Sequence, residues 1–258
     1  MKLKTLNPLV LPGLIIAAIA LGMLIHGPIV QLPNYHHFAD RQAWLGISNA
    51  ADVLSNLGFA LAGLWGMSRL ARNASLVETA RTAYGLFCIS LFLTAFGSGW
   101  YHLAPDNARL IFDRIPIAMA CAALLAAVCY ECYGSADSIK TQRRVCAALT
   151  VLSLGSVGWW QWTEALNPGY GDLRPYLFLQ VLPLLLIPII QWQARAARAK
   201  RLALAAAIGL YIVAKVAELQ DHQLFQQLVL ISGHTLKHLL ASAAAGVLVW
   251  QMGIPARR

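Results

Sequence analysis

Five residues of this chain have the types and spacing to do chemistry: Ser98, His102, Asp113, His234 and His238. Ser98 and His102 are one helical turn apart, so their side chains share a helix face. His234 and His238 repeat that spacing, which sets two imidazoles about 6 Å apart. Asp113 follows His102 across a short Ala-Pro-Asp-Asn turn. All five lie in or beside long apolar runs, where an ionisable group is expensive and, by default, functional. Three neutral imidazoles with one open position suit zinc. Zinc lowers the pKa of its bound water towards about 7. Asp113 could serve as the base or hold that water. Ser98 could hydrogen-bond the water or a developing oxyanion. HxxxH alone is a weak signal, but with SxxxH and an Asp at matching depth it points to a metal site.

Other readings of the same residues explain less. Ser98, His102 and Asp113 could form a nucleophile, base and orienter, which leaves His234 and His238 idle. Lys237 with Asp113 as counter-ion could hold a retinal, again without the His pair. Paired imidazoles could ligate haem iron, but axial ligands must approach from opposite faces and HxxxH lies on one. The plainest alternative is that these groups knit helices together. A receptor-like or lipid-binding bundle with a structural metal is the competing function. A closed site with Asp113 bound directly to the metal would mark it.

The elements that must position these residues are long apolar segments. The chain is 59% hydrophobic and only 12% charged, about half the charged share of a soluble domain. This predicts an all-α, polytopic membrane helix bundle. Eight segments have spanning length, at about 9–26, 50–70, 83–102, 110–133, 145–164, 175–194, 202–219 and 228–251. The net charge of +9 resides in short loops and alternates, which excludes a nucleic-acid partner. Fourteen Lys and Arg fall on one side: Lys2, Lys4, Arg69, Arg72, Arg81, Lys140, Arg143, Arg144, Arg195, Arg198, Lys200, Arg201, Arg257 and Arg258. Three fall on the other: Arg41, Arg109 and Arg174. The positive-inside rule then puts both termini in the cytoplasm and all five site residues near the outer face. Trp100, Tyr101, Trp159, Trp160 and Trp162 share that level, as interfacial aromatics do. The first segment reads as a retained helix rather than a cleaved signal, because its apolar run continues past Ala18-Ile-Ala20 to Ile25.

Several polar residues remain. Asp52, Ser55 and Asn56 in the second segment either face the bundle interior near the site or cap a helix start. Lys237 should point to another face than the His pair and meet Glu218 or a lipid headgroup. His26, His36, His37 and His222 read as surface histidines. Cys129 and Cys132 form a single CxxC with no second pair, and the five cysteines read as small membrane residues.

The sequence resembles the alkaline ceramidase family, part of a superfamily of seven-helix membrane hydrolases (the CREST group) that includes the adiponectin and progestin receptors. That family's pattern is SxxxH at the end of its second helix, an Asp early in its third and HxxxH in its seventh. Ser98, His102, Asp113, His234 and His238 match it one for one, including the step from His102 to Asp113, and Ser55-Asn56-Leu57 is similar to its SNL signature. The N-terminal stretch 1–29, with its apolar segment 9–26, departs from the family as one extra helix before the seven. The resemblance implies a seven-helix ceramidase-like domain over 30–258. It implies that His102, His234 and His238 bind zinc while Ser98 and Asp113 position the water. The implied reaction is hydrolysis of the amide of ceramide, or of a related membrane lipid, to release a fatty acid. Eukaryotic members carry an acidic calcium site before the first core helix. Here 27–49 has only Asp40, and Asn49 stands at the place of a family Glu, so calcium is not implied. The Phe38–Arg41 and Trp44–Ile47 stretches look like bacterial members, which implies the inner membrane, a periplasmic-side site and a cytoplasmic C-terminus.

Overall fold

A computed structural model describes residues 7–73, 77–134 and 139–255. It is 78% helix with no strand among the described residues. The helices are α1 (Val10–His26), α2 (Ala50–Ser55), α3 (Leu57–Arg72), a 3-10 turn at Glu78–Ala80, α4 (Arg81–Leu103), α5 (Asn107–Tyr133), α6 (Ile139–Leu166), α7 (Arg174–Gln193), α8 (Arg198–Leu219), α9 (Asp221–Leu228) and α10 (Gly233–Gln251). Each of the eight apolar segments therefore carries helix. The loop charges at Lys2, Lys4, Arg257 and Arg258 lie outside the described residues.

Among the described residues, four helices are long and apolar enough to cross a bilayer: α4 with its preceding 3-10 turn, α5, α7 and α8. A fifth is added if α9 and α10, which meet at a bend of 103°, make one broken span. The remaining segments fall short for physical reasons. α1 has 17 residues, whereas about 20 apolar residues span a hydrocarbon core. The second segment is broken at Asn56 into α2 and α3, of 6 and 16 residues. α6 is long, but Ser153, Ser156, Gln161 and three tryptophans dilute its apolar run.

α4 packs chiefly on α5 and α3, α10 on α8, and α5 on α7. Two close approaches set the geometry of the site end. A Cβ at Gly97 would strike the backbone of Phe112, so α4 lies against α5 at the turn that carries Ser98. A Cβ at Gly233 would strike Ala217 and Asp221, so the start of α10 lies against the end of α8 beside His234. Caps fix where both helices begin. The Asp106 carboxylate accepts from the Arg109 N–H at 2.7 Å, and the Ser232 hydroxyl from the Thr235 N–H at 2.9 Å. Both satisfy first-turn N–H groups that have no partner inside the helix.

At the opposite end of the bundle a polar network joins four helices. The Lys200 ammonium (1% exposed) pairs with the Glu131 carboxylate and donates to Gln251 Oε1 at 3.2 Å. Tyr84 donates to Glu131 Oε2 at 3.1 Å and accepts from Gln251 Nε2 at 3.1 Å. Every charged atom here has a partner inside the protein. Removing one partner leaves an uncompensated buried charge, whereas replacing both with apolar groups need not. Glu131→Ala should therefore destabilise the protein by about 3–5 kcal/mol. Glu131→Leu with Lys200→Met should stay close to wild type, as read by thermal unfolding in detergent.

Outside the spans, Asp172 ties the segment after α1 to the α6–α7 loop. Its carboxylate accepts from Ile29 N, Trp159 Nε1 and Arg174 Nε and Nη2 at 2.8–3.3 Å. Burial alone would push its pKa up, but the Arg174 and Trp159 hydrogen bonds favour the anion more, and the pKa falls from 3.8 to about 2. A pKa lowered by folding contributes stability above the unfolded value and loses it as pH falls through the folded one. The wild type should thus lose this contribution between about pH 4 and pH 2. Asp172→Asn should flatten that acid limb of the stability curve.

Candidate metal centre

The three histidines come together. His102 closes α4, His234 and His238 stand on the first turns of α10, and all three are buried. Their ring centroids are 4.6–4.9 Å apart in every pairing. One ligand nitrogen from each lies within 4.8 Å of the others, so the group could hold a metal ion. His102 Nε2 and His234 Nε2 are 3.2 Å apart. Two nitrogens bound tetrahedrally to one zinc at about 2.05 Å would stand about 3.3 Å apart. The donor set and its spacing therefore fit a small divalent cation.

The groups behind the rings decide which nitrogen faces the centre. Ser55 Oγ donates its one proton to the Asp52 carbonyl at 3.0 Å. At 2.9 Å from His238 Nδ1 it must then accept. His238 is thereby held as the Nδ1–H tautomer, with the Nε2 lone pair free toward the cluster. Asn56 Nδ2, 3.4 Å from the same nitrogen, spends its short hydrogen bond on the Asp52 carbonyl at 2.7 Å. His234 turns Nδ1 toward Glu218, 3.9 Å away. His102 Nδ1 is buried with no partner.

A further set of contacts holds the two helices in register. Asp52 Oδ1 accepts from Thr235 Oγ1 at 2.6 Å and Ser232 Oγ at 3.3 Å, which fastens α2 to the start of α10. Asp221 accepts from the His234 N–H at 2.7 Å and the Ala39 N–H at 2.8 Å. The second bond draws Phe38 over the cluster, with its ring 4.3 Å from His234 and 4.7 Å from His102. Asn49 donates to the His102 carbonyl at 2.7 Å and so occupies an acceptor at the open end of α4. Asp52, Ser55 and Asn56 are thus interior partners of the site, not caps.

Ser98 and Asp113 stand beside the cluster rather than in it. Ser98 adjoins Asp113, and both line a cavity of ≈ 360 Å³ that reaches His238. Asp113 Oδ1 is buried without a partner. Of the three histidines only His238 lines this cavity. From the polar end the cavity continues between apolar walls that include Phe87, Leu124, Ile187, Leu204 and Leu248.

Three expectations need correction. Lys237 does not turn away from the histidines. Its ammonium pairs with Glu218 at 2.8 Å, as expected, but lies 3.4 Å from His234 Nε2 and lines the cavity. Residues three apart on a helix are neighbours, and Glu218 draws the side chain to that side. His36 is not a plain surface histidine. It is half-buried, with Nδ1 2.9 Å from the Tyr101 hydroxyl and Nε2 2.9 Å from Asn107 Oδ1. Tyr101 and Trp160 are core residues rather than interfacial ones, at 2% and 0% exposure. Two residues at the site lie outside the sequence reading: Phe38, and Arg114, which lines the cavity. Phe38 carries no chemical signal, but Arg114, a charge inside an apolar segment, did.

Compared with models of known protein families and with curated proteins, the chain matches none.

The centre makes a direct prediction. The purified protein should carry about one equivalent of metal, lost in His234→Ala. Ser55→Ala should weaken metal affinity about 10–100-fold by releasing the His238 tautomer, read by elemental analysis and chelator competition.

Proposed function

We propose that this chain is a zinc-dependent membrane hydrolase that cleaves the amide of ceramide or a related lipid and releases a fatty acid. The observation that carries this reading is the juxtaposition of the buried histidine group with Asp113 and Ser98 at the polar end of an apolar cavity. The resemblance to the alkaline ceramidases rests on these same residues. A seven-helix core preceded by one more helix, set in a bacterial inner membrane with the site on the periplasmic side, belongs to the same reading.

The chain's own groups have separable tasks. The cavity's volume falls in the range of about 300–1,000 Å³ that small-molecule sites occupy, and its apolar arm suits an acyl chain. Zinc, when bound, acidifies water and polarises the scissile carbonyl. Asp113, whose Oδ1 is uncommitted, takes a proton and returns it to the leaving nitrogen. Ser98 orients the carboxylate. The Lys237 ammonium, on the cavity wall, places positive charge where the carbonyl oxygen gains negative charge.

A structural metal in a lipid-binding bundle is the second reading. It draws on Phe38, whose ring lies against His102 and His234, and on the absence of both histidines from the cavity lining. Fatty-acid release from a short-chain ceramide or another N-acyl lipid by the zinc-loaded protein separates the two. A loaded protein that turns over no lipid amide would sink the hydrolase reading. Asp113→Asn should keep its metal and lose about 10²-fold or more in kcat.

A further inference from the structure

We propose that Arg114 recognises an acidic head on the leaving-amine side of the substrate, so that the preferred lipid amide carries a carboxylate or phosphate. This rests on the amidase reading for the nature of the bond cleaved. The anion site itself is argued from Arg114 alone. The side chain is 1% exposed, and its guanidinium lies 4.1 Å from the Trp160 ring, 5.2 Å from Tyr35 and 5.4 Å from Tyr176. Nη2 donates to Gln31 Oε1 at 2.6 Å. Nε and Nη1 are buried with no partner.

An arginine stays charged wherever it is placed, so this one cannot escape its burial by giving up a proton. Aromatic faces offset part of the desolvation, but a buried charge is retained when it is paired and hydrogen-bonded. Among the described residues no carboxylate forms an ion pair with it. Asp113, its chain neighbour, shares the cavity wall and feels its charge, but makes no direct ion pair with it, and Asp113 Oδ1 is likewise unpartnered. Arg114 lines the same cavity as Ser98, Asp113 and His238, at its polar end. With the acyl chain in the apolar arm and its carbonyl beside Asp113 and His238, the portion beyond the amide meets Arg114. An anionic oxygen there completes the guanidinium. Water then gives its oxygen to the acyl carbon and a proton to the nitrogen as the C–N bond breaks. The products are a fatty acid and an amine that bears the acid.

Three ligands with one twelve-carbon acyl chain test this on the full-length protein in detergent. They are N-dodecanoylglycine, N-dodecanoylphosphoethanolamine and neutral N-dodecanoylethanolamine. Thermal stabilisation with and without zinc reads binding independently of turnover. We expect at least about tenfold tighter binding of one or both acidic ligands, the size of a charged hydrogen bond. The better acid identifies carboxylate or phosphate. Arg114→Gln should abolish the preference, so that acidic and neutral ligands bind the variant about equally. Arg114→Lys should keep part of it. Equal binding of all three by the wild type, which needs no variant to fold, overturns the proposal. Acid-selective binding without fatty-acid release would remove the amidase reading and leave the Arg114 assignment standing.

Discussion

Three imidazoles brought to one point inside an apolar bundle must each be held there by something other than water. Burying a polar group without a partner costs more than most single contacts return, and these rings come from helices 132 residues apart in sequence. Their convergence depends on polar groups outside the ring cluster. Asp52 fastens α2 to the first turn of α10 through Thr235 and Ser232. Ser55 fixes His238 from behind. Asp221 holds the His234 backbone and Asn49 the His102 carbonyl. Gly97 and Gly233 let the backbones approach closely enough for these bonds to form. With any of these partners removed, a polar atom would be stranded in a dry interior.

The bundle is polar at both ends and apolar between them. At one end Lys200, Glu131, Gln251 and Tyr84 bond to one another. At the other, the histidine group opens on one side to a cavity whose far walls are hydrocarbon. A ligand with an apolar tail and a polar head would gain from both parts, since burial of the tail is favourable per unit area while the head finds the few convergent polar groups. An entirely polar ligand would have to desolvate its head with no apolar burial to offset the cost.

The sequence revealed helices and site residues unequally. Helical segments were legible because apolar runs of this length have few other uses. His102, His234 and His238 were legible because SxxxH and HxxxH name a helix face. Hydropathy does not show the break at Asn56 or the bend between α9 and α10, since each lies within a single apolar segment. For Lys237, helical spacing gives only the direction of its Cβ, whereas Glu218 decides where the three further methylene groups lead. The residue type of Trp160 fits an interfacial aromatic. Only the fold reveals that it lies against Arg114. Phe38 sits in a connecting segment whose position over the site is set by Asp221, 182 residues from Ala39.

Two buried cations, compared with each other, separate structure from function in this bundle. Lys200 and Arg114 are equally inaccessible, each at 1% exposure. Lys200 has a carboxylate and an amide oxygen, and that carboxylate has its own tyrosine. Arg114 has one amide oxygen and three aromatic rings, and two of its nitrogens have nothing. Desolvation penalises both alike, so a merely structural origin would predict that both are equally well paired. The difference follows their surroundings. The network of Lys200 is closed by protein, whereas Arg114 borders the cavity together with Asp113, whose Oδ1 is also uncommitted. Nitrogens of a cation and an oxygen of a carboxylate left without hydrogen-bond partners along one wall, beside the closed network around Lys200, point to the cavity as the place where their partners arrive.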